Sequence, residues 1–275
     1  MPIIRPEEEA IRRLMIYHPR RTGWRNNRGG GDTPFVPPTG IWGWYDFTDT
    51  STVTESSNVI SAVSDKSGNG YDLSVGTGAP GYSASTAIAG FNSAYFSAGA
   101  GNFGYAGSLI TTTGTDTKQS RTTFLVAAPY ALGGFGGIFS LKGSVSSTST
   151  TDRIMGAFSS NSIWELYGRG QKLRINTTTG SYTGLPGFPV LVCVRERQAG
   201  TPSYTYEVYS LDTGLVVSTL SDNDGVGWKE AMFGRSSTTQ ALGSGEVYEA
   251  LIYPTYLSDE DFTTVISYLR NKYGM

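Results

Sequence analysis

Short apolar stretches alternate with polar, glycine-rich turns along the chain from residue 42 onwards. Residues 204–210 show the pattern most clearly, because Tyr204, Tyr206 and Val208 fall on one face of an extended chain. We predict strands at residues 42–47, 58–63, 94–97, 122–128, 137–141, 163–167, 172–175, 189–195, 204–210, 215–219, 231–234 and 245–253. Many short strands between such turns are typical of an all-β sandwich or barrel.

The C-terminal segment has a helical period instead. An apolar stripe at the i, i+3, i+4, i+7 spacing of a helix is formed by Phe262, Val265, Ile266 and Leu269. Ser258 stands at the N-cap position, Asp261 can complete a capping box, and Gly274 can cap the C-terminus. The sequence therefore predicts a helix over residues 258–273 that packs on the edge of the sandwich.

The composition fits one β domain over residues 41–275. The 275 residues include 36 Gly and 17 Tyr, only 16% are charged, and no linker interrupts the body. Cys193 is the one cysteine, so no intramolecular disulfide can form, and its apolar neighbours predict a buried side chain. No stretch approaches the roughly 20 apolar residues of a membrane span. Acidic residues 7–9 stand where a signal peptide needs an apolar core, so we expect no secretion signal.

A basic N-terminal arm precedes the body. Residues 1–31 hold seven Arg and three Glu, a balance of +4, whereas the rest of the chain carries −6. Arg presents a rigid fork of donors that suits carboxylates and phosphates. The acidic body and the three glutamates disfavour nucleic acid, so docking on an acidic protein surface fits better than DNA or RNA binding. A solvated, disordered tail is the alternative.

The arm resembles a hook on a tether. Residues 6–17 have the charge order of a helix, with Glu in the first turn and Arg later, and residues 22–38 form a Gly-rich and then Pro-rich linker. We therefore predict an anchoring arm at residues 1–40. Its candidate partner-binding residues are Arg5, Arg12, Arg13, Leu14, Met15, Arg20, Arg21, Trp24, Arg25 and Arg28.

The stretch SDKSGNGYDL at residues 64–73 packs two glycines, an Asn and two aspartates into ten residues. It could bind a cation, bind a sugar, or form a tight turn. Gly68, Asn69 and Gly70 tolerate positive φ, and Asp65 can accept hydrogen bonds from the amides of the turn. These properties favour a structural turn, with a glycan contact and a cation site as the alternatives.

Two parts of the body together resemble a known fold family. Residues 44–54 with 63–73 resemble the opening of concanavalin A-like, LamG-type jelly-roll domains, and residues 246–262 with the following helix resemble their close. Such domains recur in phage virion proteins and bacterial surface proteins. The resemblance implies an antiparallel jelly-roll β-sandwich in which a concave face or a loop end is often used for glycans, and it leaves the arm uncovered.

The sequence offers few groups for catalysis. His18, the one histidine, lies in the arm, so the body has no His-based triad and no His-rich metal site. Glu246 and Glu249 are three residues apart on a predicted strand, which would point them to opposite faces. Asp222 and Asp224 stand in a calcium-like DND sequence that lacks the later ligands of a complete loop, so a turn is favoured there. We expect no enzymatic activity, no cofactor and no metal.

Exposed aromatic side chains beside amide and guanidinium groups are typical of sugar sites. The candidate glycan-binding residues are Tyr167, Arg169, Gln171, Tyr204, Tyr206 and Trp228, each of which could equally belong to the core or to a sheet surface.

Together these features favour a non-enzymatic phage virion protein: a capsid decoration, head fibre or spike assembled in the host cytoplasm. The arm would dock onto a virion protein, and the lectin-like body would be displayed, with possible adhesion to a host polysaccharide. A homo-oligomer is expected because spikes usually have cyclic symmetry. The alternative is a carbohydrate-binding adhesin module of a bacterial surface or tail protein.

Overall fold

The computed structural model describes residues 34–78, 80–85, 87–96, 107–111, 120–129, 136–142, 153–158, 164–168, 171–175, 189–198, 203–210, 214–221, 228, 230–234 and 245–275. The arm up to residue 33 lies outside these ranges, so every prediction about its residues stays a prediction. Residues 34–36 have no regular secondary structure, and the Val36 side chain is 76% exposed.

Seventeen strands and one helix make up the described body. The first nine strands are β1 Gly43–Asp46, β2 Val53–Ser56, β3 Val59–Val63, β4 Leu73–Gly78, β5 Gly81–Ala84, β6 Asn92–Phe96, β7 Gly107–Thr111, β8 Arg121–Pro129 and β9 Gly136–Lys142. The remaining elements are β10 Arg153–Phe158, β11 Trp164–Gly168, β12 Gln171–Ile175, β13 Val190–Gln198, β14 Ser203–Ser210, β15 Gly214–Ser221, β16 Glu230–Phe233, β17 Gly245–Tyr253 and helix α1 Asp259–Tyr273. All twelve predicted strands are present, together with five that the pattern did not predict: β2, β4, β5, β7 and β10.

The described strand pairs are antiparallel and follow two series. One series runs β15–β14–β13–β8–β17, and β17 pairs on its other edge with both β1 and β6. The other runs β12–β11–β10–β9–β16–β7–β4–β3–β2. Strand β5 joins the two series, because it pairs with β3 on one side and β6 on the other. The fold is an antiparallel jelly-roll β-sandwich, as predicted.

The core lies between the two series. Both contribute to one apolar cluster, which includes Leu125, Val192 and Ile252 from the first and Phe139 and Phe233 from the second. Cys193 is buried, which confirms its prediction as a small core side chain. Burial raises the pKa of its thiol well above the ordinary value, so the group is an inert hydrophobe.

Helix α1 has the predicted termini and apolar stripe. Ser258 Oγ accepts a hydrogen bond from Asp261 N at 3.1 Å and donates one to Asp261 Oδ2 at 3.0 Å. Gly274 has φ +67°, and Met275 N donates to Arg270 O at 3.0 Å, closing the C-terminus. The four stripe residues and Tyr273 are buried.

The helix covers the outer face of β1, β8 and β17, whereas the sequence led us to expect an edge. The Phe262 ring lies 5.2 Å from the Phe124 ring on β8, and the Tyr268 ring lies 6.4 Å from the Trp44 ring on β1. The outward side chains of these strands that meet the helix combine the aromatic rings of Trp44 and Phe124 with the carboxylates of Asp46 and Glu249.

Candidate functional site

The turn at residues 64–73 is held together by Asp65. Its Oδ1 accepts hydrogen bonds from Trp44 N at 3.0 Å and Ser67 N at 2.9 Å. Its Oδ2 accepts from Ser67 Oγ at 2.6 Å and Tyr71 N at 3.2 Å. Four protein donors therefore surround one carboxylate, which leaves it poorly suited to a cation.

The rest of the turn also faces the protein. Gly68 and Gly70 adopt φ of +83° and +77°, and Asn69 Nδ2 donates to Ile41 O at 2.7 Å and Trp42 O at 3.1 Å. Asp65 N donates to Asp72 Oδ1 at 2.8 Å. The stretch is a structural turn that fixes β1 against the start of β4, in agreement with the favoured interpretation.

A network of carboxylates and lysines lies between the helix and the sheet. Lys272 Nζ contacts Asp46 Oδ2 at 2.8 Å and Glu249 Oε2 at 2.7 Å. Glu249 also accepts hydrogen bonds from Trp44 Nε1 at 2.7 Å, Tyr268 OH at 2.9 Å and Tyr273 OH at 2.8 Å. These contacts attach the last turn of α1 to β1 and β17.

Lys66 extends this network to the surface. Its Nζ lies 3.1 Å from Asp46 Oδ2, 2.8 Å from Asp49 Oδ2 and 4.9 Å from the centre of the Trp44 ring. The hydrogen bond from Lys66 lowers the pKa of Asp49 to about 2. Asp46 is desolvated, but the charge and hydrogen bond of Lys272 lower its pKa overall. Burial dominates at Glu249 and raises its pKa, although Lys272 opposes the shift.

A β-bulge corrects the expected placement of Glu246 and Glu249. The register between β17 and β8 shifts between Val247 and Glu249, so one extra residue lies in this part of β17. Val247 and Ala250, three residues apart, both belong to the inner core cluster as a result. Glu246 and Glu249 therefore share the outer face instead of pointing to opposite faces, and they are 1% and 0% exposed.

Glu246 is part of a separate small cluster on that face. Tyr248 OH and Ser85 Oγ both donate to its Oε2. Ser85 Oγ in turn accepts from Ala87 N at 3.0 Å and Ile88 N at 2.8 Å, which fixes the turn between β5 and β6. The arrangement is structural, because the carboxylate is enclosed and its partners belong to the fold.

An open polar groove lies where β2–β3 meets β5–β6. It has a volume of about 510 Å³ and is lined by Thr50, Val53, Thr54, Glu55, Asn58, Tyr82, Ser83, Ala84 and Asn92. Backbone hydrogen bonds join its two sides: Ile60 N donates to Pro80 O at 2.9 Å and Tyr82 N donates to Asn58 O at 2.8 Å. The groove is therefore built on paired strands, which hold its lining in place.

The β2–β3 turn presents one rim of the groove. Ser57 and Asn58 have φ of +54° and +62°, and Ser56 pairs with Val59 across a two-residue loop, as in a type I′ hairpin. Asn58 N donates to Glu55 Oε2 at 3.0 Å, which orients the Glu55 carboxylate. The Glu55 carboxylate thus has a defined position at this rim.

Tyr82 forms part of the groove floor. Its hydroxyl donates to Phe47 O at 3.1 Å. Burial raises the pKa of Tyr82, a hydrogen bond with Asn92 opposes the shift, and the negative charges of Asp46, Asp49 and Glu55 add to it. Thr54, Glu55, Asn58 and Ser83 are exposed around this floor. The groove combines an apolar base with hydroxyl, amide and carboxylate groups, which is the chemistry that recognises a polyhydroxylated ligand.

None of the predicted glycan contacts is among the described residues that line this groove. Trp228 is 0% exposed, its ring lies edge-on at 5.0 Å from Trp42, and Nε1 donates to Ser120 O at 3.3 Å. It is a core residue, which corrects its assignment as a glycan contact.

The other predicted residues are placed only in part. Tyr167 lies on β11 and Gln171 on β12, in one series of strands, whereas Tyr204 and Tyr206 lie on β14 in the other. Their side chains, and all of Arg169, Asp222 and Asp224, lie outside the described part of the structure, so these assignments stay predictions. Within the described ranges, no three His, Cys, Asp or Glu side chains form a group that could hold a metal ion. No described helix has the length and apolar character to cross a membrane.

The sequence pattern gave almost no indication that these residues would form a groove. The strand β2 reads VTES and β5 reads GYSA, which are short and polar, and the pattern predicted neither. The dipeptide Ser57-Asn58 was the one available clue, because Asn in a two-residue loop favours a type I′ hairpin. Val59 of β3 pairs with Gly81 of β5, 22 residues further along the chain, which brings the two hairpins together, and no local pattern encodes that contact.

Comparison with known proteins finds likeness in solved structures. No protein-family model and no curated protein sequence matches the chain. Domain 4 of an extracellular GH43 arabinanase from Geobacillus stearothermophilus, in complex with arabinotriose, is 12% identical with a TM-score of 0.51, over 81% of this chain and 96% of that one. The Trypanosoma rangeli sialidase in complex with the inhibitor DANA is 14% identical with a TM-score of 0.54, over 84% and 33% of the two chains.

A toxin domain has the same architecture. The ligand binding domain of botulinum neurotoxin serotype D, in complex with N-acetylneuraminic acid, is 16% identical with a TM-score of 0.51, over 82% of this chain and 50% of that one. This chain therefore corresponds to a part of the sialidase and toxin chains. At such low identities the likeness establishes the fold alone, a β-sandwich.

Proposed function

We propose that the protein is a non-enzymatic carbohydrate-binding protein whose saccharide lies in the polar groove between β2–β3 and β5–β6. The observation that carries this proposal is the lining itself: a groove of about 510 Å³, of which Thr50, Thr54, Asn58, Ser83 and Asn92 supply hydroxyl and amide groups. Such groups both donate and accept hydrogen bonds, as sugar hydroxyls do. The structures with the same fold include one complexed with arabinotriose and one with N-acetylneuraminic acid, which supports a glycan ligand.

The carboxylates of the body support the absence of catalysis. Glycoside hydrolases place two carboxyl groups on either side of the bond that they cleave. Among the residues that the structure describes, the groove lining contains one carboxylate, Glu55. Glu246 and Glu249 are enclosed on the outer face, where Glu246 accepts a hydrogen bond from Tyr248 and Glu249 contacts Tyr273 and Lys272 of the helix. These enclosed positions support the proposal of binding without turnover.

A glycan-binding assay with groove variants tests the proposal. The full-length protein is screened on a glycan panel that includes arabino-oligosaccharides and sialylated glycans, and affinities for the ligands found are measured by calorimetry. Asn92→Ala and Thr54→Ala should each weaken binding by roughly three- to tenfold, the effect of one lost hydrogen bond. Thr263→Ala, on the exposed face of α1, is the matched control and should bind like the wild type.

Circular dichroism melts of the same variants establish that each is folded. Absence of binding to every glycan by the wild-type protein would contradict the proposal. Equal affinity in wild type and both groove variants would place the ligand elsewhere.

A second candidate function rests on the arm. Seven Arg in residues 1–31 against an acidic body favour docking onto an acidic protein surface. We infer a virion component, such as a capsid decoration, head fibre or spike, in which the arm anchors many copies and the lectin-like body is displayed. Multiple copies would add their individual glycan contacts to give avidity. The same glycan-binding body would serve equally well as a bacterial adhesin module.

The arm is tested by deletion. The particle mass of the full-length protein is compared with that of a variant that lacks residues 1–40. Each protein is measured alone and after mixing with the native assembly, so that association can be detected. Loss of association upon deletion supports anchoring by the arm. Undiminished association of the deletion variant would contradict it.

A further inference from the structure

We propose that the groove selects an uncharged saccharide and discriminates against sialylated and other anionic glycans. This inference rests on the proposed carbohydrate site and adds the chemical class of its ligand. A preference for uncharged saccharides would distinguish this protein from the proteins of similar fold whose structures contain N-acetylneuraminic acid or the inhibitor DANA. We infer this preference from the charges around the groove.

The described lining has a negative balance. Of its nine described residues, Glu55 is acidic and none is Lys, Arg or His. A carboxylate or sulfate on a sugar would therefore lie beside a carboxylate, and no described lining residue offers a basic side chain to neutralise it. Sites for anionic ligands ordinarily supply an Arg or Lys fork, or a helix N-terminus, at the anion.

Acidic groups near the floor act in the same direction. Asp46 and Asp49, together with Glu55, raise the pKa of Tyr82 in addition to the effect of burial. Lys66 is already paired with Asp46 at 3.1 Å and with Asp49 at 2.8 Å. Moving it toward a ligand would break two ion pairs.

Glu55 is held where it meets the ligand. Its Oε2 accepts the hydrogen bond from Asn58 N at 3.0 Å, across the tight β2–β3 turn. The orienting bond stabilises the carboxylate at the rim, where an exposed carboxylate can accept a hydrogen bond from a sugar hydroxyl. The same group repels an anion, so one side chain favours neutral sugars and disfavours charged ones.

Paired glycans test the selectivity. Each pair shares a neutral core and differs by one sialic acid or one sulfate, and affinities are measured for the full-length protein at low and physiological salt. The neutral member should bind at least about fivefold more tightly, the size expected for like charges a few ångströms apart in water. The difference should shrink as salt increases.

Glu55→Gln is the informative variant, because the amide keeps an oxygen that can accept from Asn58 N. It should bind the anionic member of each pair several-fold more tightly while its affinity for the neutral member changes less. Glu260→Gln, an exposed acid at the start of α1, is the matched control and should leave the ratio unchanged.

The possible results distinguish this inference from the proposed function. Preferred binding of a sialylated or sulfated glycan, lost in Asn92→Ala, would overturn the inference and leave the carbohydrate site in place. An unchanged ratio in Glu55→Gln would also overturn it, since charge would not be the cause. Absence of binding to any glycan would reject the proposed function and the inference together.

Discussion

At the scale of single residues, Asp65 holds the turn at residues 64–73 together. It accepts hydrogen bonds from the backbone N–H groups of Trp44, Ser67 and Tyr71. Asp65→Ala should lower the free energy of unfolding by about 2 kcal/mol or more, because a buried donor without a partner costs about 1–3 kcal/mol. Urea denaturation measures the difference.

Ser64→Ala, at the exposed neighbouring position, is the control and should stay within about 0.5 kcal/mol of the wild type. Calcium should leave the melting temperature of the wild type unchanged. A rise in melting temperature with calcium, or an Asp65→Ala variant as stable as the control, would mean that the carboxylate has another role.

The sequence could predict this turn because its chemistry is local. Gly68, Gly70 and Asp65 are residue types that a tight turn requires, and each performs the expected part. Trp228 shows the limit of such reasoning, since an aromatic residue in a polar stretch looks the same whether it faces a sugar or the core. Its burial is decided by Trp42, almost 190 residues away along the chain.

At the scale of elements, the helix is the part that the sequence specifies best. Its cap and its stripe follow from spacing alone. Phe262→Ala should destabilise the protein by about 3–5 kcal/mol, because the ring packs on Phe124 at 5.2 Å and under the Arg195 guanidinium at 4.3 Å. Thr264→Ala, on the exposed face, should change stability by less than about 0.5 kcal/mol.

Thermal and urea unfolding of the two variants provide the comparison. Similar stability of Phe262→Ala and Thr264→Ala would show that the helix does not pack on β8. The position of the helix on a face instead of an edge could not be predicted, since it depends on which outward residues β1, β8 and β17 bring together.

The contacts between helix and sheet also predict two opposite pH dependences. Burial raises the pKa of Glu249, so the native state binds its proton more tightly than the unfolded state does. Its contribution to stability is present below the ordinary pKa of 4.5 and is lost as the pH rises through the native value. Glu249→Gln should therefore gain stability relative to the wild type as the pH increases.

The contribution of Asp49 to stability has the opposite pH dependence. Its pKa is lowered from 3.8 to about 2 by Lys66, so its contribution is present above 3.8 and is lost as the pH falls toward 2. Asp49→Asn should be less stable than the wild type near neutral pH and should approach it in acid. Urea denaturation from about pH 3 to about pH 7 measures both differences, and parallel curves for the two variants would contradict these assignments.

The strands that the sequence failed to predict share a physical cause. Strands β2 and β5 are four residues long, and their buried positions do not alternate with exposed ones, so they lack the apolar alternation that marks a half-buried strand. The bulge between Glu246 and Glu249 could not be predicted either, because an extra residue in a strand leaves no mark in the composition. The bulge nevertheless moves a carboxylate to the other face of the sheet.

At the scale of the whole molecule, the chain joins a sandwich of known architecture to an arm of contrasting charge. The resemblance of residues 44–54, 63–73 and 246–262 to jelly-roll domains predicted the sandwich correctly, because strand order and closing helix are properties of the entire fold. It could not identify the groove, which arises where β3 and β5 pair between the two series of strands. The proposed carbohydrate site lies at that junction.

The most direct measurement is calorimetric titration of the full-length protein with the best ligand from a glycan screen, repeated with Asn92→Ala and with Thr263→Ala. We predict that the wild type and Thr263→Ala bind equally and that Asn92→Ala binds roughly three- to tenfold more weakly, while all three variants remain folded. Equal binding by all three, or no glycan bound by the wild type, would contradict a carbohydrate site in the groove between β2–β3 and β5–β6.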